Sequence, residues 1–203
     1  MTADEFDAAR WAEVPSAAAS DAVGRVGAME AGIRRLCGSH LAGPAFTIVT
    51  GAGDSSTIHR ALTTAPAGSV VVVDAQGSTA RAVWGGVLTA AAMARGVVGA
   101  VVDGVARDLD EIAARGFTLF ARGTCPAGPH KGFRGAWGLP VQCGGVVVHP
   151  GDIVVGDTDG VSVVPAGQAV ASLVAVERIA ATEKAWLRRI AAGEASTAIL
   201  GLD

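Results

Sequence analysis

Arg107 and Asp108 stand side by side, just after an apolar run that ends in Asp103-Gly104. The guanidinium of such a pair can clamp a carboxylate through a charge-assisted, bidentate contact. The carboxylate can hold a divalent cation, directly or through water. Ligands of open α/β sheets gather at the carboxyl ends of strands, which is where this pair falls. Taken alone, the pair reads equally well as a helix N-cap followed by ordinary surface charge. A second segment, Trp84-Gly85-Gly86-Val87-Leu88, reads as a glycine turn at a helix start. Its uncovered N–H groups and the helix dipole suit a carboxylate or an enolate. Close packing by the two glycines is the simpler reading of that segment by itself.

Other candidates are less specific. Gly51-Ala52-Gly53-Asp54-Ser55-Ser56 follows a strand, opens a helix and precedes a strand ending in Asp74, the layout of a dinucleotide-binding turn. Its third glycine position is Ser56, and Asp54 would put a carboxylate where phosphate belongs. Asp54 is better read as a helix cap. Asp157-Thr158-Asp159-Gly160 starts like a calcium loop, but Gln168 stands where the loop's last acid should be, so a β-turn is expected. Cys125 and His130 share a Gly/Pro loop with Lys131 and Arg134, a weak case for a nucleophile and its base. Cys37 and Cys143 read as small core residues.

The elements that must position these residues alternate. Strands are expected at 45–50, 69–74, 97–103 and 117–122, with helices at 55–64, 82–95 and 108–115 between them. The run Ser69-Val70-Val71-Val72-Val73-Asp74 is the pattern of a strand buried on both faces. This β-α-β alternation predicts a parallel α/β sheet. A Gly/Pro-rich stretch follows Gly123. Short strands at 141–148, 152–155 and 161–164 then predict an antiparallel or mixed portion, closed by a helix from about 168 to 192. One α/β domain over 1–203 is expected, with a core at about 20–165 and helical extensions at both ends.

Composition sets the limits. The chain has 203 residues, 50% hydrophobic and 17% charged, with a formal net charge of -3. That excludes disorder by composition. Without a basic cluster, nucleic acid is not an expected partner. No uncharged stretch reaches the ~20 apolar residues of a membrane span. The opening MTADEFDAARWAE is acidic and lacks an apolar core, so no secretory signal is expected there. Three widely spaced cysteines make no disulfide framework, so a cytoplasmic protein with reduced thiols is the expectation.

The run VVVVDAQGSTARAVWGGVLTAAAMARGVVGAVVDGVARDLDEI resembles the family of the regulator of ribonuclease activity A and the 4-hydroxy-4-methyl-2-oxoglutarate aldolases. Some members of that family once carried the name demethylmenaquinone methyltransferase. The segments GDSSTIHRAL and PGDIVVGDTDGVSVVP extend the resemblance over about residues 20–165. It implies a swivelling β/β/α fold and a homotrimer with sites near subunit interfaces. It also implies class II pyruvate aldolase chemistry on 2-oxo acids, including oxaloacetate decarboxylation, with magnesium or manganese. By position, Arg107 matches the substrate-binding Arg and Asp108 the metal-binding Asp. Gly85, Gly86, Val87 and Leu88 match the helix start that lines the substrate site. There is one departure: the aldolases carry an Asp at the position of Gly86. The family's regulators depart there too, but tend also to lose the metal-binding Asp, which this chain keeps. A non-catalytic regulator, or a specialised enzyme with a bulkier substrate, therefore stands beside the lyase as an alternative.

Overall fold

The computed structural model describes residues 6–202. Two short helices come first, α1 (Ala8–Trp11) and α2 (Ser16–Ala22), then strands β1 (Arg34–Cys37) and β2 (Leu41–Val49). The alternating portion follows as α3 (Ser56–Leu62), β3 (Val70–Trp84), α4 (Gly86–Ala94), β4 (Gly99–Ala106), α5 (Leu109–Ala114) and β5 (Thr118–Thr124). Short strands β6 (Ala136–Trp137), β7 (Val141–Cys143), β8 (Val146–Val148), β9 (Ile153–Gly156) and β10 (Val161–Val164) lead to α6 (Ala169–Ala191) and α7 (Ser196–Leu200).

The main sheet runs β1-β5-β4-β3-β2-β9-β10, with β6 also on β2. Strands β2 to β5 pair in parallel, as the alternation predicts. Strands β9 and β10 are antiparallel, as the turn-rich sequence predicts. β2 joins the two portions. Its residues 41–44 pair with β9 and its residues 45–49 with β3, so one strand carries the sheet around a curl. The mixed α/β fold expected from the sequence is therefore the one observed.

Val70, Val71, Val72 and Val73 are each fully buried. One face of β3 packs under α3, α4 and α5 with Ile58, Leu62, Leu88 and Ile112. The other meets β7 and β8 through Val141, Cys143 and Val148. Burying each such aliphatic side chain favours folding by ~1.5–3 kcal/mol. A third cluster seats the N-terminal helices and α6 on β9 and β10, through Trp11, Ile153, Val155 and Leu173. Among the described residues no helix is long and apolar enough to cross a membrane.

The structure corrects two boundaries. Ala82 to Trp84 belong to β3, not to the following helix, because their backbone continues to pair with β4 beyond irregular register shifts. Asp108 precedes its helix in the left-handed region, at φ 62°. Neither feature has a periodic signature in the sequence.

Candidate active site

Two adjacent crossovers bring the first two motifs together. β3 ends at Trp84 beside Ala106, the last residue of β4, and the Arg107 N–H donates to the Trp84 carbonyl at 3.0 Å. The residues after each strand, Gly85-Gly86 and Arg107-Asp108, are therefore neighbours. Trp84 is buried, stacks on Phe117 and donates from its indole to Thr89 Oγ1 at 3.0 Å. This ties the first turn of α4 to the end of β3.

Gly85 permits close approach. A Cβ there would lie 2.7 Å from Asp108 Oδ2 and 3.2 Å from Arg107 Cγ, too near for a side chain. Asp108 does not cap its own helix. Its Oδ2 instead accepts the Gly86 N–H at 3.1 Å and lies 3.5 Å from Arg107 Nε. The carboxylate is thus held across two elements. Asp tolerates the left-handed backbone better than most residues.

Gly85, Val87, Leu88, Arg107 and Asp108 line one cleft, with Ser55, His59, Pro129 and Lys131 among its other residues. Gly86 is buried beside it, and its N–H is already bound by Asp108. The N–H groups of Val87 and Leu88 sit in the first turn of α4 and have no acceptor one turn earlier. The space that a side chain at 86 would enter is taken by the Glu111 carboxylate, which also pairs with Arg115 at 3.0 Å.

The Gly51 turn does different work. Asp54 is fully buried and accepts from the Ser56 N–H at 2.7 Å and from its hydroxyl. Its other oxygen takes the N–H groups of Gly132 and Phe133, at 2.8 and 3.1 Å. Burial works against the charge, but these donors outweigh it and hold the carboxyl below its usual range. Asp54 thus fastens the loop at 126–135 beside the cleft and takes, with its own carboxylate, N–H donors that a phosphate would need. The sequence suggested only its local cap.

The remaining candidates separate. Cys125 Sγ lies 3.4 Å from the Ala80 carbonyl, and His130 rests edge-on against Phe133. Asp157 spends its carboxylate on the Ser16 N–H and hydroxyl and on the Asp159 N–H, as a structural turn does. Among the described residues no three His, Cys, Asp or Glu side chains converge as a metal cage. A cation at Asp108 would have one protein carboxylate. That fits the magnesium class, which keeps several waters and completes its shell from the substrate.

Comparison with known proteins agrees with this frame. A protein of Halalkalibacterium halodurans, provisionally named a 4-hydroxy-4-methyl-2-oxoglutarate aldolase, is 38% identical over 156 residues, covering 76% of this chain and 74% of its own. An uncharacterized protein from Pseudomonas syringae superposes with a TM-score of 0.85 at 28% identity, over 96% of this chain and 92% of that one. Streptomyces coelicolor RraAS2, described as an unusual member of the RNase ES inhibitor RraA protein family, gives 0.77 at 29% identity, over 87% and 92%. The RraA-like family, described as Aldolase/RraA, matches residues 16–163. The chain belongs to that family.

Proposed function

We propose that this protein is a divalent-metal-dependent lyase acting on short 2-oxo acids by stabilising a pyruvate-type enolate. The observation that carries the reading is that Arg107, Asp108 and the helix-start residues Val87 and Leu88 line one cleft. Arg107 binds and orients the substrate carboxylate; hydrogen bonds to charged groups contribute ~1.5–3 kcal/mol. The N–H groups of Val87 and Leu88, aided by the helix dipole, add ~0.3–1 kcal/mol toward developing negative charge. A magnesium or manganese ion held at Asp108 would supply Lewis-acid stabilisation of that charge. The Gly86 N–H fixes the orientation of Asp108.

Decarboxylation of an oxaloacetate-type acid needs no base, since carbon dioxide leaves and only the enolate must be stabilised. Retro-aldol cleavage needs a base for the substrate hydroxyl. With glycine at 86, decarboxylation is the better supported reaction. The same reading carries a homotrimer, which sedimentation would check.

The deciding experiment is oxaloacetate decarboxylation with magnesium or manganese, with EDTA and Asp108→Ala as controls. Metal-dependent turnover that Asp108→Ala abolishes supports the reading. Turnover no faster than the free metal ion overturns it and favours the second reading, a regulator of a ribonuclease. That alternative draws on Gly86 and on the likeness to the Streptomyces protein described as an unusual member of the RNase ES inhibitor family.

A further inference from the structure

Gly86 leaves a space that another residue fills. A Cβ at 86 would lie 2.6 Å from Glu111 Cδ and 2.8 Å from Glu111 Oε1, so this carboxylate stands where a side chain of residue 86 would begin. Asp108 stands in the same relation to Gly85, with Oδ2 2.7 Å from a Cβ there. The two carboxylates thus press against consecutive Cα atoms at the start of α4, which a trans peptide holds ~3.8 Å apart.

Neither acid serves α5 in the way its position suggests. Asp108 is the N-cap and Glu111 the third helical residue, the spacing of a capping box. Yet Asp108 forms no side-chain cap bond, and Glu111 accepts from Arg115 at Oε1 rather than from the Asp108 N–H. The Glu111–Arg115 pair is open to solvent, at 53% and 43% exposure, and such pairs contribute little to stability. It gives no reason for the carboxylate to lie against Gly86.

The cleft gives one. Arg107 and Lys131 line it with a single carboxylate, Asp108, and Arg107 Nε lies 3.5 Å from that carboxylate. Two positive side chains oppose a cation there, and one acid shared with an arginine is a weak counterweight. Magnesium-class ions take one or two carboxylates and keep several waters. Carboxylates that bind those waters, rather than the ion itself, raise its affinity. Glu111 is not a wall of the cleft. Its carboxylate meets the cleft's edge at Gly86, between the lining residues Gly85 and Val87.

We propose that Glu111 is a positioning residue for the cation: its carboxylate takes the place of the acid that glycine at 86 lacks and holds water of the ion bound at Asp108. The inference rests on the lyase reading for the cation at Asp108. It gives the ion a second negative charge, from α5. It leaves a substrate hydroxyl without a base, in keeping with decarboxylation as the better supported reaction.

Binding of Mn2+ to the whole protein without substrate, read by electron paramagnetic resonance, tests the assignment. Glu111→Gln should weaken Mn2+ about tenfold, the size of effect that outer-shell acids have, and leave the melting temperature unchanged. Arg115→Ala breaks the same ion pair but keeps the acid, so it should not weaken Mn2+. Gly86→Asp combined with Glu111→Gln returns an acid to the same place and should restore most of the loss. The proposal is overturned if Glu111→Gln binds Mn2+ within about twofold of the unsubstituted protein. An equal loss in Arg115→Ala, a folded double variant that recovers nothing, or no Mn2+ bound by the unsubstituted protein overturns it too. Oxaloacetate turnover tests the lyase reading separately. Turnover above the free metal ion, with Mn2+ binding indifferent to Glu111, sinks only the new assignment. Glu111-dependent binding without turnover sinks only the lyase reading.

Discussion

Two Arg-Asp pairs, one within the sheet at β4 and β5 and one just past the end of β4, behave oppositely. Asp103, within β4, is buried and paired with Arg122, accepts the Gly144 N–H at 2.8 Å, and shares Arg122 with Glu30 at 3.2 Å. Five residues on, Asp108 lies 3.5 Å from Arg107, and both side chains keep about 40% exposure, at 39% and 42%. The first pair is saturated by its own protein and serves the fold. The second leaves guanidinium donors and a carboxylate oxygen open to a cleft. An ion pair marks a ligand site by the bonds it has left over, not by its residue types.

Substitution of each Asp by Asn is the most direct way to break this contrast. Asp108→Asn should abolish metal-dependent turnover, a loss of ~10³-fold for the several kcal/mol that a cation supplies. It should change stability by less than about 1 kcal/mol, because Asn also tolerates the left-handed backbone. Asp103→Asn should do the reverse. Stability should fall by about 3 kcal/mol, the low end for a broken buried pair because Arg122 is partly exposed, while the cleft stays formed. Urea unfolding and decarboxylation on the same samples decide it; the contrast fails if both variants lose the same property.

A smaller effect is expected at Gly86. A side chain there meets the Glu111 carboxylate, so Gly86→Asp alone places an acid against another acid. Gly86→Asp combined with Glu111→Gln should shift the ratio of aldol cleavage to decarboxylation toward cleavage, by about tenfold. The single substitution should shift it less. A ratio that does not move in the double variant removes the proposed part of an acid at position 86.

The smallest effect concerns acid stability. The Asp54 carboxyl is held below its usual range in the folded chain, so its contribution is fully present above the unfolded value of about 3.9. That contribution is lost as pH falls through the lower folded value. Asp54→Asn should cost about 1–3 kcal/mol at pH 7 and flatten the fall in melting temperature as pH drops below about 4. An unchanged acid profile would mean that the loop is held by other contacts.

The sequence by itself determined the parallel strands, the buried valine run and the Arg107-Asp108 motif. These are local patterns: β-branched runs, the helical period and adjacent residues of complementary chemistry. It also placed Gly85 to Leu88 at a helix start. The tertiary structure alone decided that Trp84 ends a strand beside Ala106 and that Asp108 turns to bind the Gly86 N–H. It alone placed the Glu111 carboxylate where a side chain at 86 would go. It also brought Lys131 to Ser55, through bonds from Asp54 to residues 78 and 79 positions away. Contacts at such separation leave no period and no motif in the chain. They exist only once the hydrophobic layers fix which strand ends and loops become neighbours.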